Sequence, residues 1–328
     1  MQERTRENVS AIIPVRNGQP WVSDFIQNIK TVLQENDELI FIDDDSQDDT
    51  FRILHSFQYL FPNMRVVKNP GKGIVSALNY GVEISQNQIL ARFDIDDCYA
   101  HNRLDLQVES LGNQNGACFS DYSFWGDGNR YLGKVPSAVF PLSTLVSLFS
   151  SQRTAHPSVI FRKSAFYEAG GYKEEEFPAE DLGLWFRIAK FATIVSTPAE
   201  LLFYNLRLNS TSSKKRKFAL DMKQQLVLEN RHQVGKIKKE FDQIVYDFNT
   251  YVSLEYSFER QFLLLRELSL DTVNTGLGKV QRNWVMSNMR SLLTSPKNIF
   301  RLMTLTKDKI RRDSFRKTNS RLTLRSDS

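Results

Sequence analysis

The chain has 328 residues, of which 41% are hydrophobic and 25% charged, a balance that suits one large globular unit or two ordinary ones and not a low-complexity chain. Its net charge of +5 is unevenly spread: residues 1–213 hold 19 Lys and Arg against 26 Asp and Glu, whereas residues 214–328 hold 24 against 12. No apolar run approaches the roughly 18 residues that span a bilayer. The polar opening MQERTRENVS lacks a signal-peptide core, and Cys98 and Cys118 fit no metal-ligand spacing, so a cytoplasmic protein with free thiols is expected.

In chain order, VSAIIPV (9–15) predicts a buried strand, after which Val22, Phe25, Ile26, Ile29 and Leu33 recur at helical spacing. ELIFIDDD (38–45) predicts the second strand, with helix near 50–61, and MRVVKN the third. GKG (71–73) opens a helix with Val75, Leu78 and Val82 on one face, and QILARF is the fourth strand. This alternation implies βαβ units and a parallel sheet. Ligands of such sheets bind beyond the carboxyl ends of the strands. Both acidic clusters, 43–45 and 94–97, fall there and so are expected to face one crevice. Further on, ACFSDYSFW, PSVIFRK and ATIVS read as strands, and EDLGLWFRIAKF as a helix carrying Leu182, Trp185 and Ala189. After SSKKRK (212–217), Val234, Ile237, Phe241, Ile244, Val245 and Phe248 keep a helical period. The expected organisation is an α/β unit over 1–213, a basic helical extension over 214–312 and a disordered tail over 313–328.

Asp94, Asp96 and Asp97 crowd the end of the fourth strand. A turn needs one or two Asp, and three like charges repel unless some are protonated or a cation sits among them. Mg²⁺ and Mn²⁺ prefer oxygen and often take one or two carboxylates, with phosphate completing the shell. A phosphatase of the haloacid dehalogenase type is the weaker reading, because a whole βαβ pattern precedes the motif and Cys98 follows where Thr is expected. FIDDDSQDD reads equally well as an Asx turn and helix cap through Ser46 or Asp48, and it lacks the Gly and Glu of an EF-hand. Glu180 and Asp181 open a helix, where dipole and capping favour a carboxylate by about 0.3–1 kcal/mol. If Asp181 is a general base, that dipole is expected to lower its pKa and make it a weak one. His156, before Pro157, reads as structural.

Together these stretches resemble family 2 glycosyltransferases of the inverting GT-A type, as found in bacterial surface-polysaccharide synthesis. VSAIIPVRNGQPWVSDFI resembles the opening strand and turn, and FIDDDSQDDT the Asp-Asp-x-Ser segment. NPGKGIVSALNYGVEISQNQILARFDIDD resembles the run to the Asp-x-Asp motif, and HPSVIFRKSAFYEAGGY with AEDLGLWFRIA the acceptor-side strand and Glu-Asp helix. The likeness covers about 8–205. It implies a Rossmann-like, mostly parallel sheet, a nucleotide-diphosphate-sugar donor, a glycan or lipid-linked acceptor and a divalent cation, Mn²⁺ or Mg²⁺. By it, Pro14 and Asp44 contact the nucleotide base, Val15 belongs to the nucleotide-sugar site and Asp94 faces the ribose. Asp96 holds the metal with Asp97 in support, Arg92 and Lys72 line the donor site, and Asp181 beside Glu180 is the base. Three departures stand out: Arg16 where Tyr is common, Asp45 where Gly or Asn is usual, and Asn205 and Arg207 in FYNLRLNSTSS where the family has Arg and His. Arg207, with Lys214 and Lys215, is expected to serve the diphosphate by direct charge. A catalytically silent nucleotide-sugar-binding subunit of the same fold is the alternative. SPKNIFRLMTLTKDKIRRDSFRK (295–317) interleaves Ile299, Phe300, Leu302, Met303, Leu305 and Ile310 with Lys and Arg, and implies either packing or a peripheral anionic-membrane contact on the inner face of the plasma membrane. No nucleic-acid module is present.

Overall fold

The computed structural model of the protein describes residues 6–150, 154–207, 216–250, 257–269 and 277–294, with 298, 301, 307–309, 311 and 312 besides. β1 (Val9–Val15), β2 (Glu38–Asp43), β3 (Met64–Lys68) and β4 (Ile89–Arg92) lie parallel in the order β3-β2-β1-β4. α1 (Val22–Ile29), α2 (Thr50–Ser56) and α3 (Gly73–Ile84) alternate with them. Successive side chains of a strand point to opposite faces. Ile12, Ile40 and Ile42 therefore enter one core with Val75, Leu78 and Val82 of α3. Ala11, Ile13, Leu39 and Phe41 enter the other with Val22, Phe25, Ile26 and Ile29 of α1. Fully burying such a side chain is worth about 1.5–3 kcal/mol, against about 1 kcal/mol net for a ladder hydrogen bond. The two-sided apolar pattern is thus the main reason that these segments are central strands.

Beyond β4 the sheet turns mixed. β4 pairs antiparallel with β8 (Ile160–Arg162), and β8 antiparallel with β6 (Asn115–Gly126). β6 runs parallel to β9 (Thr193–Asn205), whose far end pairs with β5 (Cys98–Tyr99). β7 (Arg130–Val135) hangs on β6. In the β6–β9 pairing Ser120 meets Thr197 and Asp121 meets Glu200, so Pro198 and Ala199 are looped out. A bulge is where a residue without an N–H is tolerated. α4 (Arg103–Leu111), α5 (Pro141–Ser150), α6 (Lys163–Glu168) and α7 (Glu180–Ile188) complete this part. The sequence pattern foresees none of β5, β7, α4, α5 or α6. α4 buries Arg103 and Gln107 on its inner face, so its apolar stripe is broken.

The later residues form α8 (Arg216–Glu229), α9 (Val234–Lys239), α10 (Phe241–Thr250), α11 (Ser257–Leu268) and α12 (Lys279–Thr294). Their Leu226, Ile237, Ile244, Leu264 and Val285 join the same core as Ile12 and Trp185. Arg260 of α11 is fully buried and grips Asp121 of β6 at 2.7 and 2.9 Å. Asp121 also accepts the N–H of Ser137 at 2.8 Å. Among the described residues no helix is long and apolar enough to cross a membrane. The expectations for 313–328, for Lys214 and Lys215, and for the apolar residues of 295–317 lie outside the described residues.

Candidate active site

The carboxyl edge of β1, β2 and β4 carries the acidic clusters. The Val15 carbonyl accepts the N–H of Asp44 at 2.8 Å, where the chain leaves β2. Asp43 is buried and takes Lys68 Nζ at 2.7 Å, while Lys68 lies 4.1 Å over the Phe51 ring. Asp44 Oδ1 accepts from Gly73 N–H at 2.9 Å and Asn69 Nδ2 at 2.8 Å, which ties this edge to the start of α3. Lys72 is the exposed residue before that helix. Asp45 has φ of 58°, a left-handed conformation that Asp tolerates better than most residues, so its place where Gly or Asn is usual has a backbone reason. Ser46 Oγ accepts the Asn17 N–H at 2.9 Å, and Asp48 Oδ1 that of Thr50 at 3.1 Å, so both are turn-forming residues. Half-buried Pro14 stands in register with Ile42, and Arg16 is exposed. At Gly18 a Cβ would stand 2.5 Å from Val15 and 3.2 Å from Ile95, so glycine lets the turn after β1 close onto the Asp94–Asp97 turn.

Each carboxylate of that turn has a separate partner. Asp94 is ion-paired with buried Arg92, and Asp96 with Arg207. Asp97 Oδ1 accepts the Asn205 N–H at 2.7 Å, and its Oδ2 is buried without a hydrogen bond. Burial pushes the Asp97 carboxyl well above its ordinary range, and Asp96 and Asp94 add to this. Burial also raises Asp96, helped by Asp94 and opposed by Arg207. Tyr99 Oη accepts the Asp94 N–H at 2.7 Å. Beneath them Arg103 lies 4.2 Å from the Phe93 ring centroid and 4.7 Å from that of Tyr99, and donates to the carbonyls of Arg92 and Val159 at 3.0 and 3.2 Å. Burial lowers Arg103 to about 10, which leaves it a cation at neutral pH.

The metal implied by the family can be tested against this turn. No three His, Cys, Asp or Glu side chains converge as a cage among the described residues. What is present is one part-exposed carboxylate, Asp96, beside a buried carboxylate oxygen of Asp97 that has no partner. That set fits a hard divalent ion which takes one or two carboxylates and completes its shell from a diphosphate.

Glu180 and Asp181 form the first turn of α7, anchored by buried Leu182, Leu184, Trp185 and Phe186 and by the Arg187–Glu176 ion pair. Asp181 Oδ1 accepts the N–H of Leu182 at 2.7 Å. Glu180 is raised to about 7, first by burial and then by Asp181. Asp181 is also raised by burial, opposed by Lys223 of α8 and less by Arg92. The expected lowering by the helix dipole is therefore corrected: removal from water outweighs an effect of about 0.3–1 kcal/mol. Arg92 pairs with Asp94, and its charge opposes, as a minor effect beside burial, the upward shifts of Glu180 and Asp181. His156 Nε2 lies 2.8 Å from Tyr172 Oη, and burial drives its pKa well down, so it is a neutral structural group. Trp21, Tyr172 and Lys223 belong to these surroundings and escape sequence reasoning: Trp21 adjoins an apolar helix stripe and Lys223 is one Lys among many. Asn205 acts through its backbone N–H.

Residues 10–170 match the model of the family described as glycosyl transferase family 2, and this region of the chain belongs to that family. An uncharacterized glycosyltransferase of Rickettsia bellii is 27% identical over 206 residues, which are 62% of this chain and 29% of that one. The chain spans under a third of the length of the first three curated relatives that it matches. The crystal structure of S. aureus TarS 1–349 in complex with UDP-GlcNAc matches with a TM-score of 0.58 at 15% identity, covering 96% of this chain and 92% of that one. The mannosyltransferase PcManGT of Pyrobaculum calidifontis, in complex with GDP-Man and Mn²⁺, matches at 0.51 with 14% identity, covering 95% and 88%. These likenesses establish the GT-A fold.

Proposed function

We propose that the protein transfers a sugar, with inversion, from a nucleotide-diphosphate-sugar to a hydroxyl of a glycan or lipid-linked acceptor, in the assembly of a surface polysaccharide. One observation supports this most: part-exposed Asp96 stands beside a buried oxygen of Asp97 that has no hydrogen bond, a set that suits a divalent ion carrying a diphosphate. In this reading Pro14 and Asp44 receive the nucleotide base, Val15 belongs to the same site and Asp94 faces the ribose, while Arg92 and Lys72 line the donor site. Asp96, supported by Asp97, holds a divalent ion, Mn²⁺ or Mg²⁺, which when bound neutralises the leaving diphosphate as a Lewis acid. Asp181 accepts the acceptor proton on Oδ2, since Leu182 occupies Oδ1. Its raised pKa makes it a stronger base than an exposed Asp. The UDP-GlcNAc of TarS and the GDP-Man and Mn²⁺ of PcManGT support the donor and ion classes.

The protein acts in the cytoplasm, and its basic extension contacts an anionic membrane face. A second reading, a silent nucleotide-sugar-binding subunit, has one observation in its favour, the Arg207 guanidinium on Asp96. Release of UDP or GDP from a panel of nucleotide-sugars, with an acceptor extract, separates the two. Release by the native chain and its loss in Asp181→Asn is the expected result. Donor binding without release would make the silent reading correct.

A further inference from the structure

Arg207 reaches Asp96 from a fixed backbone. The Asn205 N–H is held by Asp97 at 2.7 Å, and the Leu206 N–H donates to the Trp125 carbonyl at 2.7 Å. The side chain then crosses the face of Trp21 at 3.9 Å and pairs with Asp96. Its Nε is buried without a hydrogen bond, and the side chain keeps 28% of its surface exposed. The guanidinium is thus held at its tip by one carboxylate and an aromatic face, with room to leave.

We infer that Arg207 is a displaceable counter-ion of Asp96, which keeps free divalent cations off that carboxylate and yields it when a nucleoside diphosphate arrives with the metal. This inference rests on the proposed role of Asp96. One carboxylate cannot neutralise a guanidinium and a divalent ion together without the two cations repelling each other in a poorly solvated turn. A diphosphate resolves the conflict. It offers the guanidinium a bidentate oxygen pair and offers the metal the remaining ligands. Metal and nucleotide then favour each other's binding, and the coupling is reciprocal. A guanidinium stays charged at every working pH, so it needs such an exchange to free Asp96.

The test is direct Mn²⁺ binding, read from the free-ion electron paramagnetic resonance signal, with no sugar donor present. Wild type, Arg207→Gln, Arg207→Lys and Asp96→Asn/Arg207→Gln are compared without and with saturating UDP or GDP. Arg207→Gln without nucleotide is expected to bind Mn²⁺ about tenfold more tightly than wild type, a usual size for coupled sites. Arg207→Lys is expected to stay near wild type, and the double variant to lose the gain. Equal affinity of wild type and Arg207→Gln, with binding still lost in Asp96→Asn/Arg207→Gln, would overturn the counter-ion role and leave the metal assignment standing. No Mn²⁺ binding by any of them, even with nucleotide, would overturn both.

Discussion

Glu180 and Asp181 sit side by side in a water-poor corner, so their protons belong to the pair. With Glu180 raised to about 7, the pair gains its full charge only near neutrality. Turnover is expected to rise with pH to a plateau, with a midpoint above that of an exposed Asp. Glu180→Gln removes the like charge beside Asp181 and moves that midpoint to lower pH, as a pH–rate profile reads. Asp181→Asn lowers turnover by about 10²–10⁴-fold with donor affinity kept, because its Oδ1 still accepts the Leu182 N–H but it takes no proton. Stability runs the opposite way. Between the ordinary Glu value of 4.5 and about 7 the folded chain holds a proton that the unfolded chain has lost, so this group lowers stability as pH rises through that window. Urea midpoints of Glu180→Gln should show a flatter pH dependence there. Asp96→Ala is expected to abolish transfer, with EDTA inhibiting the native chain, while its urea midpoint stays near wild type. EDTA-resistant transfer retained in the variant would refute the metal role. The candidate base can be found in the sequence as Glu-Asp at a helix start. The sign of its pKa shift cannot, because burial depends on Lys223, Arg92 and the packing of distant elements.

The elements most readable in sequence are those whose apolar period is unbroken: β1, β2, β4, α1, α3 and α7. Those missed make their contacts with polar or few residues. β5 has only Cys98 and Tyr99, yet its pairing with Phe203 and Leu202 delivers β9, and hence Asn205 and Arg207, to the acidic turn. The link between β6 and α11 is equally hidden, since Asp121 and Arg260 are 139 residues apart. Arg260→Met leaves buried Asp121 without its counter-ion, with only Ser137 still donating to it. It is expected to cost about 3–5 kcal/mol by urea unfolding, and adding Asp121→Leu should restore part of it. If Arg260→Met were neutral, α11 would not be fastened through this pair.

The whole molecule separates its charge, with acidic residues in excess to 213 and basic residues after it. The two parts nevertheless share one core, so the basic surface is carried on the body that holds the candidate site. Near β7, Asp308 is buried and Arg312 donates to the Leu132 carbonyl at 3.5 Å and lies 5.3 Å from the Phe124 ring, while Lys307, Lys309 and Arg311 are exposed. One short stretch therefore packs inward and offers cations outward. Each basic residue near an anionic bilayer adds about 1 kcal/mol, screened within a Debye length of about 10 Å at 0.1 M salt. Neutralising Lys307 and Lys309 together to Gln is then expected to weaken binding to phosphatidylserine-containing liposomes by about thirtyfold, since two such terms sum to about 2 kcal/mol. Packing on β7 should survive, because Asp308, its ion-pair partner Arg311 at 3.3 Å, and Arg312 are untouched. Co-sedimentation at low and high salt measures both the affinity and its screening. An intact chain that ignores anionic liposomes at low salt would leave this stretch the packing role alone.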